Sequence, residues 1–420
     1  MAQNQAAPAA PINPADFTTV IDNPYMTLTP GTTFISETPD GSSVDTMTVT
    51  RNTRVLDGVT CVAVSDVTVQ NGELLEKTTD YYAEDKSGNV WYFGETTAEY
   101  ENGQVVSTEG TWLSGVNGAA PGIIMEANPQ VGDSYDQEHA PGVAEDHAAV
   151  TGNGKLVDVP YGSFDNALQT LETTALEPGA AEHKYYVKGV GFVLSVDLVT
   201  GEVEQLVSVK IDGMSGGDKL TGYNGHDTLF GHAGNDILDG GKDSVSDVLH
   251  GGLGNDWIAV GTADQAYGDI GNDTLRLFDN LHFGLISGGS EDHRDLATSE
   301  GDTLAFTGGL DLSEDAVASR ITGIETLSMT AGGGHDSLTL NVYDVLHLGD
   351  GTFDPSGALH TGHALKVEGS SGDVLTLSGG GWHEIAAANA PAHFDVYATP
   401  TAGGHEGYVL VQDTVTVHTV

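Results

Sequence analysis

Between residues 213 and 276, glycine and aspartate recur on a period close to nine, and a large apolar residue follows each aspartate by two places. No other feature restricts the fold so tightly. In frame, the clearest units run from Gly222 to Phe230, Gly231 to Asp239, Gly251 to Ala259 and Gly268 to Arg276. A unit ending at Asp218 and Leu220 precedes them, one stretched by two residues carries Asp247 and Leu249, and a degenerate one contains Asp264. The aspartates step by 9, 9, 11, 9, 8 and 9 residues. A flexible Gly/Asp linker has no reason to keep Leu220, Leu229, Leu238, Leu249, Ile258 and Leu275 in register with them.

The physics of one unit follows from its residues. Six residues with two glycines close a tight turn, because glycine tolerates left-handed φ. The last three are extended, and the apolar one points inward. Two units complete one turn of a parallel coil, so residues about 18 apart lie on neighbouring strands ~4.8 Å from one another. The aspartates then form two rails: Asp218, Asp236, Asp256 and Asp273, and Asp227, Asp247 and Asp264. Two carboxylates ~5 Å apart repel by about 3 kcal/mol at an effective dielectric of ~20. A Ca²⁺ ion, whose oxygen ligands lie at ~2.3–2.6 Å, fits that gap and reverses the sign. Turn carbonyls from Gly216, Gly225, Gly234, Gly254, Gly271, Asn235, Asn255 and Asn272 complete the expected ligand set. All these donors are hard oxygens, which suit calcium better than zinc. Asp264 is the weakest position, since Gln265-Ala266-Tyr267 replaces the usual apolar step.

The units resemble the repeats-in-toxin (RTX) nonapeptide G-G-x-G-x-D-x-U-x, where U is large and apolar. The resemblance covers about a seventh of the chain. It implies a secreted protein that folds on meeting extracellular calcium, exported unfolded through a type I channel with its signal near the C-terminus. It also implies roughly three to five calcium sites.

Composition agrees. The chain has 61 Asp plus Glu against 14 Lys plus Arg, a net charge of −47. Nucleic acid and anionic membranes are polyanions and are excluded as partners on that balance. Cys61 is the single cysteine, so no intrachain disulfide forms, and it reads as a small buried hydrophobe. Extracellular domains commonly rely on disulfides; bound calcium is the substitute expected here. Met1 to Pro8 has neither a basic nor an apolar signal-peptide region. Either a signal has been removed or export uses another, and no run approaches the ~18 apolar residues of a membrane span.

The expected fold is all-β in three parts after a flexible tail at 1–15. Residues 16–211 alternate strand-like runs with Asp40-Gly41, Asp57-Gly58, Asn71-Gly72, Ser87-Gly88 and Asn102-Gly103. Such dipeptides supply the positive φ of hairpin turns, which predicts an antiparallel curved sheet or partly open barrel. Residues 212–276 form the parallel β-roll. Residues 277–420 read as a β-rich domain with a secretion signal at its end. Its strands are expected at Thr303 to Phe306, Ser337 to Leu340, Val374 to Leu377 and Tyr408 to Val411. This third part resembles the C-terminal β-domains of RTX surface proteins and adhesins. There Gly301-Asp302-Thr303-Leu304 and Gly372-Asp373-Val374-Leu375 read either as further calcium sites or as turn caps.

Other motifs point nowhere firm. Glu138-His139 and Glu145-Asp146-His147 flank Pro141-Gly142, with Glu182-His183 later. They read as exposed hairpin ends, or alternatively as a zinc or copper site. Gly213-Met214-Ser215-Gly216-Gly217 matches a serine elbow in letters, but a nonapeptide follows where that elbow needs a helix. Tyr81, Tyr82, Trp91, Tyr92 and Trp112 read as core in preference to a carbohydrate platform. The expected function is a secreted, calcium-stabilised, non-catalytic surface or adhesive protein with a cell-surface or polysaccharide ligand. The rival is a secreted polymer-acting enzyme whose N-terminal domain is catalytic.

Overall fold

A computed structural model describes residues 12–290, 296, 301–349, 351–356, 362–379, 381–400 and 406–420. Most of the expected flexible tail therefore lies outside the described residues. The chain forms two compact units, Met1–Lys210 and Ile211–Val420. It is nearly all β, with two short helices at Asp315–Ala318 and Val342–His347. No helix among the described residues is long and apolar enough to cross a membrane.

The first unit is an antiparallel, nearly closed barrel. Strands Thr32–Glu37, Ser43–Leu56, Val59–Gln70, Glu73–Asp85 and Val90–Glu101 pair in succession. A second meander runs through Asp146–Val159, Gly162–Thr174, Ala181–Val187, Gly191–Asp197 and Val203–Asp212. Its last strand pairs with Thr32–Glu37 and closes the wall. The turn dipeptides behave as their chemistry requires. Leu56 pairs with Val59, Gln70 with Glu73 and Glu101 with Gln104, leaving two-residue loops. Asp57, Asn71 and Asn102 have φ of 49°, 52° and 51°, and a positive-φ glycine follows each. These are the turns whose twist matches that of the strands.

Cys61 is fully buried among Leu56, Val59, Ala63, Tyr81, Ala83 and Phe93, and burial pushes its thiol up to about 12. Tyr82 stacks on Tyr92, and Tyr92 meets Trp112 edge-on, all three buried. These aromatics are core.

The inner face of the barrel is not apolar throughout. It opens into a cleft of about 430 Å³ lined by nine carboxylates, among them Asp45, Asp66, Asp80, Glu95 and Glu204. Asp80 and Glu95 sit directly opposite each other on paired strands, an arrangement that like charges disfavour. Burial, reinforced by neighbouring carboxylates, pushes Asp45 up to about 9, Glu95 to about 8 and Asp80 to about 7. Tyr92 donates a 2.6 Å hydrogen bond to Asp80 and partly counters the shift there. In an unfolded chain these groups titrate near 4. Their neutral forms thus stabilise the barrel at low pH, and that contribution is lost as pH rises through about 7 to 9. Thermal scans in saturating calcium are expected to show the barrel midpoint falling by at least ~5 °C between pH 6 and pH 9.5. Asp80→Asn with Glu95→Gln should flatten that slope, and a midpoint that rose with pH would contradict the assignment.

The second unit is a parallel coil. On one side Lys219–Thr221, Ile237–Asp239, Trp257–Val260 and Thr274–Leu277 stack in register, so that Leu220, Leu238, Ile258 and Leu275 form a column. On the other, Asp227–Phe230, Val248–Leu253 and Gln265–Ile270 align Leu229, Leu249 and Ala266. Every member of both columns is buried. The ladder does not stop at Leu277. Leu275 pairs on to Leu304, Leu304 to Leu327, and Leu327 to Val367. A separate parallel sheet carries Gly309–Asp311, Ser337–Asn341, Val374–Ser378 and Thr416–Thr419. Three of the four strands expected after residue 277 lie within strands of the structure, and the fourth, Thr303 to Phe306, is a strand over Thr303–Ala305.

Candidate metal centre

Each aspartate of a rail reaches back one coil turn. The backbone N–H of Asp218 donates to Asp236 Oδ1 at 2.7 Å, that of Asp236 to Asp256 at 2.8 Å, and that of Asp256 to Asp273 at 2.8 Å. On the second rail Asp227 donates to Asp247 at 2.9 Å and Asp247 to Asp264 at 3.1 Å. The simple picture from spacing had carboxylates facing one another across the strand gap. Instead one oxygen of each is held by a backbone N–H, and only the other is left to aim elsewhere.

The second oxygens divide the set. Asp218, Asp227 and Asp264 use theirs on the N–H groups of Met214, Tyr223 and Gly261 at 2.5, 2.6 and 2.7 Å. Those of Asp236 and Asp256 are buried and accept no hydrogen bond. A buried acceptor without a donor is costly. Glycine makes room for these oxygens. A Cβ added at Gly231 would press against the Gly251 carbonyl oxygen and lie 2.5 Å from Asp236 Oδ2. At Gly251 it would collide with Asp256 Oδ2 and lie 2.8 Å from the Gly268 carbonyl oxygen. Carboxylate and carbonyl oxygens thus converge beside each first glycine of a unit.

Burial pushes Asp247 up to about 9 and Asp256 to about 6, and it raises Asp236 and Asp264 as well. With protein groups alone, these sites disfavour the ionised carboxylates that a hard cation would need and reward. All of Asp227, Asp236, Asp247, Asp256 and Asp273 are buried, whereas Asp218, at the start of the coil, is half-buried.

The remaining expected ligands fall into two groups. Asn255 donates its backbone N–H to Asn235 Oδ1 at 3.0 Å, and Asn272 to Asn255 Oδ1 at 3.1 Å. The side-chain oxygens of Asn235 and Asn255 are thus spent on a ladder, and their backbone carbonyls are what they can offer. Gly216, Gly234, Gly254 and Gly271 stack so closely that a Cβ at Gly254 would collide with the Gly234 carbonyl oxygen. Gly254 also has φ of 128°, which side-chain-bearing residues rarely adopt. Gly254→Ala is expected to destabilise the calcium-loaded coil by about 3 kcal/mol or more. Gly72→Ala, at a hairpin with open space around it, should cost about 1 kcal/mol in the same thermal melt. Gly225 donates its N–H to Asp243 Oδ2 at 2.7 Å. Sequence reasoning passed over Asp243, which lies in the stretched unit out of the repeat frame.

The rail also continues. The Asp273 N–H donates to Asp302 Oδ1 at 2.7 Å, and the Asp336 N–H donates to Asp373 Oδ1 at 2.9 Å in the separate sheet. The histidines do not assemble. His147 contacts Asp136 at 2.9 Å and pairs across the hairpin with that residue, not with His139, and His183 pairs with Leu171 and Val196. Among the described residues, no three His, Cys, Asp or Glu side chains converge as a metal cluster. Sites in the coil would instead combine carboxylates with backbone carbonyls.

The family model for the RTX calcium-binding nonapeptide repeat (4 copies) matches two overlapping stretches, residues 212–245 and 243–275. No curated protein matches the chain. Among solved structures, a candidate exported protein with a YmcC-like fold from Bacteroides fragilis overlays at 12% identity and a TM-score of 0.27, covering 43% of this chain and 96% of its own. A candidate lipoprotein from Parabacteroides distasonis gives 12% identity and 0.24, covering 44% and 97%. Neither overlay is close enough to inform fold or function. The repeat frame, the buried aspartate rails and the family match agree: residues 212–275 of this chain are RTX calcium-binding nonapeptide repeats.

Proposed function

We propose that this chain is a secreted, non-catalytic binding protein of the cell exterior or cell surface, which folds on calcium and presents its N-terminal barrel as the binding module. The observation that carries the calcium part is the pair of buried, unpartnered carboxylate oxygens on Asp236 and Asp256, each beside a glycine gap. Calcium would be held by the carboxylates of Asp236, Asp247, Asp256 and Asp273 with carbonyls of Gly216, Gly225, Gly234, Asn235, Gly254, Asn255, Gly271 and Asn272, whereas Asp218 and Asp227, like Asp264, spend Oδ2 on a backbone N–H. The donor set is all oxygen, which fits this ion. What calcium supplies is charge: it replaces the repulsion within each rail by attraction, so that its binding energy becomes folding energy. Low calcium inside the cell and high calcium outside would then make folding follow export, with the secretion signal in the region 277–420.

The barrel as binding module is supported by its interior cleft. A neutral polysaccharide is the weaker choice of ligand, because Tyr82, Tyr92 and Trp112, which would have to stack on sugars, are buried in the core. The reading is tested by incubating the full chain in millimolar calcium with glycans, esters and peptides and analysing both bound and converted material. Retention without conversion is expected. Turnover lost on Asp80→Asn or Glu95→Gln would replace the binding protein with the rival enzyme.

A further inference from the structure

We infer that the barrel of the first unit is a receptor site for a linear polyamine, a small organic cation with several ammonium groups joined by methylene segments. This rests on reading that unit as the binding module and names the chemistry of what it binds.

The inner faces of seven strands supply the site. Asp45 lies opposite Thr68, Asp66 opposite Thr78 and Asp80 opposite Glu95, while on the far meander Glu182 faces Asp197 and Ser195 faces Glu204. Nine carboxylates line the cleft of about 430 Å³, and neither Lys nor Arg does. The cleft shares Asp45, Asp66, Ser195 and Glu204 with a second recess of about 300 Å³. The walls of that recess include Leu28, Phe34, Met47 and Ile124. The cleft is thus lined by carboxylates, and the recess mixes apolar side chains with Asp45, Asp66, Glu182 and Glu204; both lie within the size range of small-molecule sites.

A second observation points to the same interior. Ser195 is 5% exposed and lines both spaces, and among the described residues no hydrogen bond of its hydroxyl to another protein group is seen. It sits in register between Lys184 and Glu204. Lys184 is held at 2.9 Å by Glu172 and at 3.6 Å by Glu182, so the recess already contains one built-in ammonium paired with two carboxylates. That pairing repeats the chemistry expected of a ligand. Burial, reinforced by neighbouring carboxylates, raises the carboxyls of Asp45, Asp80 and Glu95, and an ammonium group brought among them would favour their ionised forms.

The distribution of charge selects the class of cation. The carboxylates lie on opposite walls, and among the described residues no three acidic or histidine side chains come together to hold one metal ion. A compact divalent ion would leave most of them unpaired. A polyamine places ammonium groups several ångströms apart and lays its methylene segments along Met47, Phe34 and Leu28.

The test is isothermal titration of spermidine into the full chain with the repeats saturated by millimolar calcium. Saturable binding is expected despite the excess calcium, tighter for spermidine than for 1,4-diaminobutane. The double variant Asp66→Asn, Glu204→Gln should lose at least about tenfold in affinity. These amides relieve like-charge repulsion, so circular dichroism should show the variant folded. Equal binding by the folded variant would mean that spermidine coats the acidic surface, and no binding below ~1 mM would leave the cleft without this ligand; either result overturns the inference. The calcium response of the repeats is read separately in the same sample, so its failure is distinct. Consumption of spermidine, seen by mass spectrometry, would overturn the non-catalytic reading alone.

Discussion

Stripping calcium from the folded chain is expected to unfold the nonapeptide coil, with loss of its β signal in far-ultraviolet circular dichroism and recovery on adding millimolar calcium. The magnitude follows from linkage. A ligand at 100 times its dissociation constant stabilises the folded state by about 2.7 kcal/mol per site. Three sites contribute about 8 kcal/mol, as much as the whole stability of many domains. At roughly 3 °C per kcal/mol for a unit of this size, the melting transition of Ile211–Val420 should fall by about 20 °C or disappear. The barrel, a compact unit of its own, should keep its own transition. Each coil turn has a thin core of one to three buried apolar side chains per strand, such as Leu238 or Leu249. Its interior aspartates, including Asp236 and Asp256, are buried. A coil so built cannot offset the entropy of ordering its backbone without a counter-charge.

The second large effect separates two aspartates that look alike in sequence. Asp256 holds the Asp236 N–H with one oxygen and leaves the other buried without a donor, whereas Asp264 spends its second oxygen on Gly261. Asp256→Ala should therefore weaken calcium binding by about a hundredfold, as loss of a charged ligand of a few kcal/mol implies. Asp236→Ala should behave in the same way. Asp264→Ala should lower stability by about 2 kcal/mol through two lost hydrogen bonds, with calcium affinity changed less than about threefold. Calcium titrations of the three variants check this. Equal losses of affinity would show that the second oxygen of Asp264 is also available to the ion.

The parts of this molecule that were legible in its sequence are those fixed by short-range chemistry. Asn71-Gly72 specifies a two-residue hairpin because both residues accept positive φ, and the chain turns there with Gln70 opposite Glu73. The repeat frame specifies a coil because the apolar residue and the aspartate recur together, and Leu238 does stack on Ile258. What escaped depends on contacts distant in sequence. Gly301-Asp302-Thr303-Leu304 kept the letters of a unit, but Asp302 lies 29 residues beyond Asp273, so the period is lost in the sequence and the continuation of the coil past Leu277 shows only in the register.

The acidic cleft escaped for a related reason. Asp66 and Thr68 alternate with Val67 and Val69 as on any sheet with one wet face. Pairing of Thr32–Glu37 with the final strand of the barrel turns that polar face inward. Only the topology distinguishes a solvent face from a lined interior. The one local clue was the number of carboxylates at alternating positions on consecutive strands. The second oxygens of Asp236 and Asp256 were likewise invisible, because spacing places a carboxylate without saying which backbone N–H has already claimed it.

Calorimetric titration of the chelator-treated full chain with Ca²⁺ tests the central claim most directly. The expected result is a saturable heat with roughly three to five ions per chain, appearing together with the gain in β structure. A chelated chain as ordered as the untreated one, or a titration without heat, would contradict it.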